Sequence, residues 1–245
     1  MRSRQMSDKL YIVIPAYNEE ENIESVAREW HEVAAKCGNG SRLLIVDDGS
    51  KDSTYKKLLD LSEELELLEP VTKPNGGHGA SVLWGYNYAL AQGADYIFQT
   101  DSDGQTLPKE FYPMWEQRKT CDAIIGQRIG RQDGKSRVFV SKVLKFVLLL
   151  VYRVNIPDAN TPFRLISRET MERYISYIPK DFNLSNVMLS VLMMRGQKKG
   201  EATVKFMPIT FRPRQGGTNS INMKKIFKIG AKAVGDFITI KRLLP

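Results

Sequence analysis

Short apolar runs alternate with longer helix-patterned stretches over residues 9–128, and that alternation admits few folds. The runs "KLYIVIP" (9–15), "RLLIVDD" (42–48), "LELLEPVTK" (65–73), "DYIFQTD" (95–101) and "DAIIGQR" (122–128) read as strands. Between them, "NEEENIESVAREWHEVAAKC" (18–37) reads as a helix whose acidic first turn suits the helix dipole. "TYKKLLDLSEEL" follows with Ser53 as its N-cap, then the glycine-opened "GGHGASVLWGYNYALAQG", then "LPKEFYPMWEQRK" as a helix despite Pro113. Strands separated by helices build a mostly parallel sheet with helices on both faces, so the expected class is α/β and Rossmann-like.

The second half is less regular. "RIGRQDGKSR" reads as a polar loop and "VFVSKVLKFVLLLVYRV" as an apolar helix. "PDANTPFRLISRE" reads as a turn and short strand leading into a helix through Tyr177. "LSNVMLSVLMMRGQK" is helical, with Met188, Met193 and Met194 taken as core. "ATVKFMPITFR" is a strand, "PRQGGTNS" an exposed loop, and residues 221–244 a basic amphipathic helix. On that helix Ile226, Ile229, Ala233, Phe237 and Ile240 form one stripe, with Lys224, Lys225, Lys228 and Lys232 mostly off it. Such a helix either lies in a membrane interface or packs on the protein's own core.

With 245 residues, 42% apolar, the chain suffices for one large domain. The expected division is one domain over 1–245, made of a first half (8–126), a second half (127–220) and the terminal helix (221–245). Cys37 and Cys121 match no zinc or redox spacing and read as reduced thiols of a cytoplasmic protein. Neither a signal peptide nor a membrane span is expected. The net charge of +8 is concentrated. Residues 128–145 and 220–245 each carry six Lys/Arg and one Asp beside apolar, helix-compatible sequence, which points to anionic lipid or phosphate partners. No recognition-helix, zinc-finger or RNP-type signature is present, so nucleic acid is not expected as a partner.

Polar residues collect where the strands end, in "PAYNEEE" (15–21), "DDGSKDS" (47–53), "KPNGGHGAS" (73–81) and "DSDGQ" (101–105). Each alone is an ordinary turn. All four belong to the carboxyl edge of the sheet, where open α/β folds bind ligands. In extended backbone Asp101, Asp103 and Gln105 would point to one side, three oxygen donors suited to Mg²⁺ or Mn²⁺. Dinucleotide and phosphate-loop fingerprints are excluded. The first strand is followed by "PAYNEE", "NGGHGAS" lacks the spacing, and "GRQDGKS" has three residues between its glycines where four are required.

Taken in order and spacing, "IVIPAYNEEENI", "LLIVDDGSKDST", "KPNGGHGAS" and "TDSDGQ" resemble the nucleotide-sugar domain of family 2 glycosyltransferases, which have the GT-A fold. "GQRIGRQDGKSRVFVSK" and "PDANTPFRLISRE" resemble the branch that uses polyprenyl phosphates as acceptors, and "FRPRQGG" resembles its loop over the donor pyrophosphate. The resemblance implies that Pro15, Tyr17 and Glu19 line the nucleotide pocket, that Asp48 accepts a hydrogen bond from the base, and that Lys73 belongs to the same donor site. Asp101, Asp103 and Gln105 would hold the metal, Arg212 and Arg214 would close over the diphosphate, and Arg128, Arg137 and Ser141 would hold the lipid phosphate. Asp103 with Arg128, Arg137 and Ser141 would then form the catalytic set. Asn183 and Asn186 stand in a stretch where the family usually carries carboxylates. A phosphate acceptor, already ionised near neutrality, tolerates that loss of a general base.

The implied activity is metal-dependent, inverting transfer of a sugar from a nucleoside diphosphate sugar to a polyprenyl phosphate. It would take place at the cytosolic membrane face, on a peripherally bound protein for which a homo-oligomer is one admissible state. One alternative is a glycan or other hydroxyl acceptor, and another is a catalytically silent nucleotide-sugar-binding module.

Overall fold

A computed structural model describes residues 8–38, 40–129, 135–213 and 235–242. Its strands are β1 (Leu10–Ala16), β2 (Arg42–Asp47), β3 (Leu68–Thr72), β4 (Tyr96–Gln99), β5 (Ala123–Ile129), β6 (Arg164–Ser167) and β7 (Val204–Thr210). The helices are α1 (Ile23–Lys36), α2 (Thr54–Glu64), α3 (His78–Ala91), α4 (Phe111–Gln117), α5 (Lys135–Tyr152), α6 (Arg168–Ile175) and α7 (Ser185–Lys199). Seven strands form one sheet in the order β3-β2-β1-β4-β6-β5-β7, and only β6 runs against its neighbours. The mostly parallel sheet expected from the alternation is therefore present.

Period-two alternation divides the core between the two faces of the sheet. Leu10, Ile12 and Ile14 of β1 pack with Trp30 of α1, Leu58 of α2 and Phe111 of α4. The intervening Tyr11 and Val13 pack with Val82 and Tyr86 of α3, Met188 of α7 and Leu148 of α5. Helix α7 is buried around most of its circumference. Met188 and Met193 are fully buried and Met194 packs on the same cluster, as the core reading requires. Pro113 is the third residue of α4, inside the first turn, where no intrahelical N–H is needed.

Several boundaries differ from the sequence reading. Helix α1 begins at Ile23, because Asn18 adopts φ +53° and the acidic residues before Ile23 belong to a separate turn. The hydroxyl of Ser53 makes no cap bond, whereas Asp52 Oδ1 accepts from Thr54 N at 3.0 Å. Helix α5 starts at Lys135, inside the stretch read as loop. Residues 235–242 are helical, but Phe237 and Ile240, two members of the terminal stripe, are buried in the core. Tyr152 OH donates to Phe237 O at 2.6 Å and the Phe182 ring lies 5.8 Å from that of Phe237. At these two positions the stripe serves the protein's own interior. Ile226, Ile229, Ala233 and the four lysines lie outside the described residues.

Candidate active site

The carboxyl ends of β1 and β2 hand over to two loops laced together by side chains. Asn18 N donates to Ser50 Oγ at 2.9 Å and Asn18 Oδ1 accepts from Lys51 N at 2.8 Å. Glu20 Oε2 accepts from Ser53 N at 3.0 Å, and Glu19 N donates to Thr54 Oγ1 at 2.8 Å. Pro15 and Glu19 are buried in this framework, while Tyr17 stands at its surface, 42% exposed.

Asp48 follows β2 and is almost covered. Its Oδ1 accepts from Gly76 N at 2.9 Å and from the Lys73 ammonium, and its Oδ2 accepts from Gly77 N at 2.8 Å. Both oxygens are thus engaged in fixing the turn between β3 and α3. Helix α3 leaves that turn close to a second segment. A Cβ on Gly79 would lie 2.2 Å from Phe182 O and 2.6 Å from Asn183 O, so only glycine admits this approach. Burial alone would raise the Asp48 pKa, but Lys73 and the two backbone N–H groups outweigh it and the net shift is downward. A lowered folded pKa stabilises the fold above the unfolded value of about 3.9 and ceases to do so as pH falls through the folded one. Denaturant titrations of wild type and Asp48→Asn are expected to show a stability gap that is constant near neutrality. The gap should narrow below about pH 4.

The stretch 101–105 is not extended. Strand β4 stops at Gln99, and Gly104 at φ +68° turns the chain. In place of a strand's same-side spacing there is a turn in which Asp103 Oδ1 accepts from Gln105 N at 3.0 Å. The tail of β7 docks on that turn: Arg212 N donates to Gln105 O and Gln105 Nε2 to Arg212 O, both at 2.9 Å. The Arg212 guanidinium reaches Gly104 O and, at 3.2 Å, Glu29 Oε2. Asp101 Oδ1 is met by His78 Nε2 at 3.0 Å and by Gln99 Nε2 at 3.1 Å, while no described residue bonds to Oδ2. Burial lowers the His78 pKa, but Asp101, with Asp103 and Asp48 behind it, raises it on balance.

Among the described residues no three His, Cys, Asp or Glu side chains gather closely enough to hold a metal by themselves. What is present is one open carboxylate oxygen beside a second carboxylate and an amide. That donor set fits a hard cation completing its shell with substrate phosphates, as Mg²⁺ and Mn²⁺ do.

Arg128 is engaged within the protein. Its Nε and Nη2 grip Asp158 Oδ2 and Oδ1 at 2.7 and 2.8 Å, and the guanidinium lies 5.1 Å from the Phe211 ring centre. A fork so occupied, with both side chains about nine-tenths covered, ties the end of β5 to the loop carrying Asp158. Arg128→Ala is expected to lower stability by about 3 kcal/mol. Thermal unfolding checks this, and an unchanged midpoint leaves Arg128 to the acceptor alone. Ser141 is half-buried on α5. Arg214 and the side chain of Arg137 lie outside the described residues.

Sequence reasoning left His78 unassigned in its glycine-rich turn, passed over Gln99, Asp158 and Arg164, and saw Asn186 only as a departure. Gln99 and Asn186 carried a usable signal, since each is a polar residue at an otherwise apolar position of a buried element.

A family model described as glycosyl transferase family 2 matches residues 11–175. The chain is 26% identical over 248 residues to the UDP-N-acetylglucosamine–dolichyl-phosphate N-acetylglucosaminyltransferase of Methanococcus voltae, covering 91% of this chain and 96% of that one. It is also 26% identical over 233 residues to the polyprenol monophosphomannose synthase of Mycolicibacterium smegmatis, covering 90% and 83%. In structure it is similar to glucosyl-3-phosphoglycerate synthase from Mycobacterium tuberculosis in complex with Mn²⁺, UDP-glucose and phosphoglyceric acid. That match has a TM-score of 0.70 at 17% identity, covering 97% of this chain and 81% of the other. The likeness shows the fold, GT-A, as the motifs implied.

Proposed function

Because the chain belongs to glycosyl transferase family 2, we propose that it moves a sugar from a nucleoside diphosphate sugar to a polyprenyl phosphate, with inversion, at the cytosolic membrane face. The observation that carries this reading is the single sheet edge on which Tyr17, Lys73, Asp101 and Asp103 follow the ends of β1, β3 and β4. The two relatives whose names carry dolichyl phosphate and polyprenol support the acceptor.

In this reading residues 8–126 serve the donor and 127–220 the acceptor. The exposed ring of Tyr17 offers a flat apolar face for the base, with Pro15 and Glu19 shaping the wall behind it. Lys73, held by Asp48, brings positive charge toward the diphosphate. Asp101 through Oδ2, with Asp103 and Gln105, would hold Mg²⁺ or Mn²⁺. Such an ion, when bound, would stabilise the charge developing on the departing diphosphate. Arg212 and Arg214 add cationic contact from the tail of β7. Arg137 and Ser141 remain acceptor-side candidates together with Arg128, whose fork is held by Asp158. The attacking oxygen belongs to an ionised phosphate, so amides at 183 and 186 withhold no proton acceptor that the reaction needs.

Membrane contact is assigned to α5. Val143, Phe146, Leu149 and Leu150 are exposed on it, with exposed Lys142 and Lys145 beside them and Ile129 exposed at the end of β5. An apolar face rimmed by lysines suits an anionic interface. Among the described residues no helix is long and apolar enough to cross a membrane, and the contact proposed here is a peripheral one. The test incubates the protein with labelled UDP-, GDP- and dTDP-sugars, Mn²⁺ and polyprenyl phosphate in anionic vesicles. Label in the lipid extract is expected, together with salt-sensitive sedimentation that Phe146→Ser/Leu150→Ser weakens. Label carried only to an added glycan or other hydroxyl favours the alternative acceptor.

A further inference from the structure

We propose that Gln99 and Asn186 are positioning residues that aim the Asp101 carboxylate and thereby set how tightly the site holds a divalent cation. The proposal rests on the reading of Asp101 as a metal ligand.

Gln99 is the last residue of β4 and is fully buried, and Asn186 sits in the first turn of α7 at 2% exposure. A carboxylate only accepts hydrogen bonds, so Gln99 must present its Nε2 to Asp101 Oδ1, at 3.1 Å. Its Oε1 then faces the other way and accepts from Asn186 Nδ2 at 3.0 Å. Asn186 Oδ1 in turn accepts from Tyr86 OH at 3.4 Å, and Asn186 O accepts from Arg164 Nη1 at 2.9 Å. Each side-chain bond in this buried chain has one permitted direction, and from Tyr86 through Asn186 and Gln99 they send donors toward Asp101. With His78 Nε2 on the same Oδ1 at 3.0 Å, two donors hold one carboxylate oxygen and leave Oδ2 as the open one. Preorganising a ligand atom in this way removes the ordering that cation binding would otherwise require.

The same chain explains why an amide suits position 186. A carboxylate of equal shape has no N–H to offer. Gln99 would then face acceptor-only oxygens on both sides, and its Nε2 would no longer be held toward Asp101.

The test compares wild type with Asn186→Asp, which reverses polarity at constant volume, and Gln99→Met, which removes it. Mn²⁺ binding is followed by electron paramagnetic resonance, with and without UDP, and transfer is measured across a Mn²⁺ titration. Both variants are expected to need about tenfold more Mn²⁺, with kcat at saturating Mn²⁺ close to wild type and a lowered unfolding midpoint, since each leaves a buried polar group without its partner. Variants that match wild type in Mn²⁺ affinity overturn the positioning role and leave the metal reading intact. A wild type that binds no Mn²⁺ in either condition and transfers sugar equally in EDTA overturns the metal reading itself. The wild type also supplies a measurement independent of any variant's folding. The side-chain amide protons of Gln99 and Asn186 should exchange slowly with solvent and shift together on Mg²⁺ addition. Fast exchange, or no shift at Mg²⁺ saturation, counts against the proposal.

Discussion

Asp101→Asn is expected to lower sugar transfer by about a hundredfold to a thousandfold, the usual loss when a group that stabilises transition-state charge is removed. Asparagine keeps the shape of aspartate, and its Oδ1 still accepts from Gln99 Nε2 and His78 Nε2. The buried amide of Gln99 is therefore not orphaned, and the unfolding midpoint should scarcely move. What disappears is the negative charge, and with it the open Oδ2 as a ligand. Asp101→Ala differs in an informative way. It strands the Gln99 donor in the interior and should add about 1–3 kcal/mol of destabilisation to the same loss of activity. Excess EDTA should reproduce the Asn variant in the wild type, and added Mn²⁺ should reverse it. Full transfer in EDTA removes the metal from the mechanism and makes Asp101 a hydrogen-bonding residue of the donor pocket.

How far this site was legible follows from the range of the interactions that make it. The order of strands and helices is written in local patterns: Leu10, Ile12 and Ile14 face one side and Tyr11 and Val13 the other because backbone geometry dictates it. The polar strand ends are equally local, which is why Tyr17, Asp48, Lys73 and Asp101 could be placed along one edge from sequence. Fine geometry was not local. The turn at Gly104 is held in part by Arg212, 107 residues beyond Gln105, and no strand pattern reports that contact. The Arg128 pair with Asp158 was not foreseen because the partner lies 30 residues away, in a segment where an aspartate looks like an ordinary turn residue. The terminal stripe was ambiguous in principle. An amphipathic helix shows the same apolar positions to lipid and to a protein core, and at Phe237 and Ile240 the core took them.

Arg164 carries the largest expected effect on stability. It lies on β6 with no exposed surface, and its guanidinium donates to Thr161 O from Nε and Nη2, to Ala159 O, to Asn186 O and to Ser190 Oγ. All of these acceptors are neutral. Burial lowers the pKa, but a guanidinium starts so far above neutrality that it stays charged. Two opposing terms decide what Arg164→Met would do. Removing a buried cation relieves a desolvation penalty of several kcal/mol. It also removes five bonds from a charged donor, each worth about 1.5–3 kcal/mol, and leaves the twice-bonded Thr161 carbonyl without these partners. The second sum is larger, so a net loss of about 3–5 kcal/mol is expected, a large share of the roughly 5–15 kcal/mol that holds a domain folded. Arg164→Lys should not rescue it, because one ammonium cannot replace a planar fork spread over four acceptors. The consequences should reach the site through two routes. The segment holding Ala159 and Thr161 also carries Asp158, the partner of Arg128, and Asn186 is the residue that steers Gln99 onto Asp101. Urea unfolding of the two variants measures the stability term. A loss under about 1 kcal/mol would mean that desolvation of the cation nearly cancels its five bonds. Arg164 would then serve to order the 157–163 loop and α7 against β4 more than to stabilise the fold.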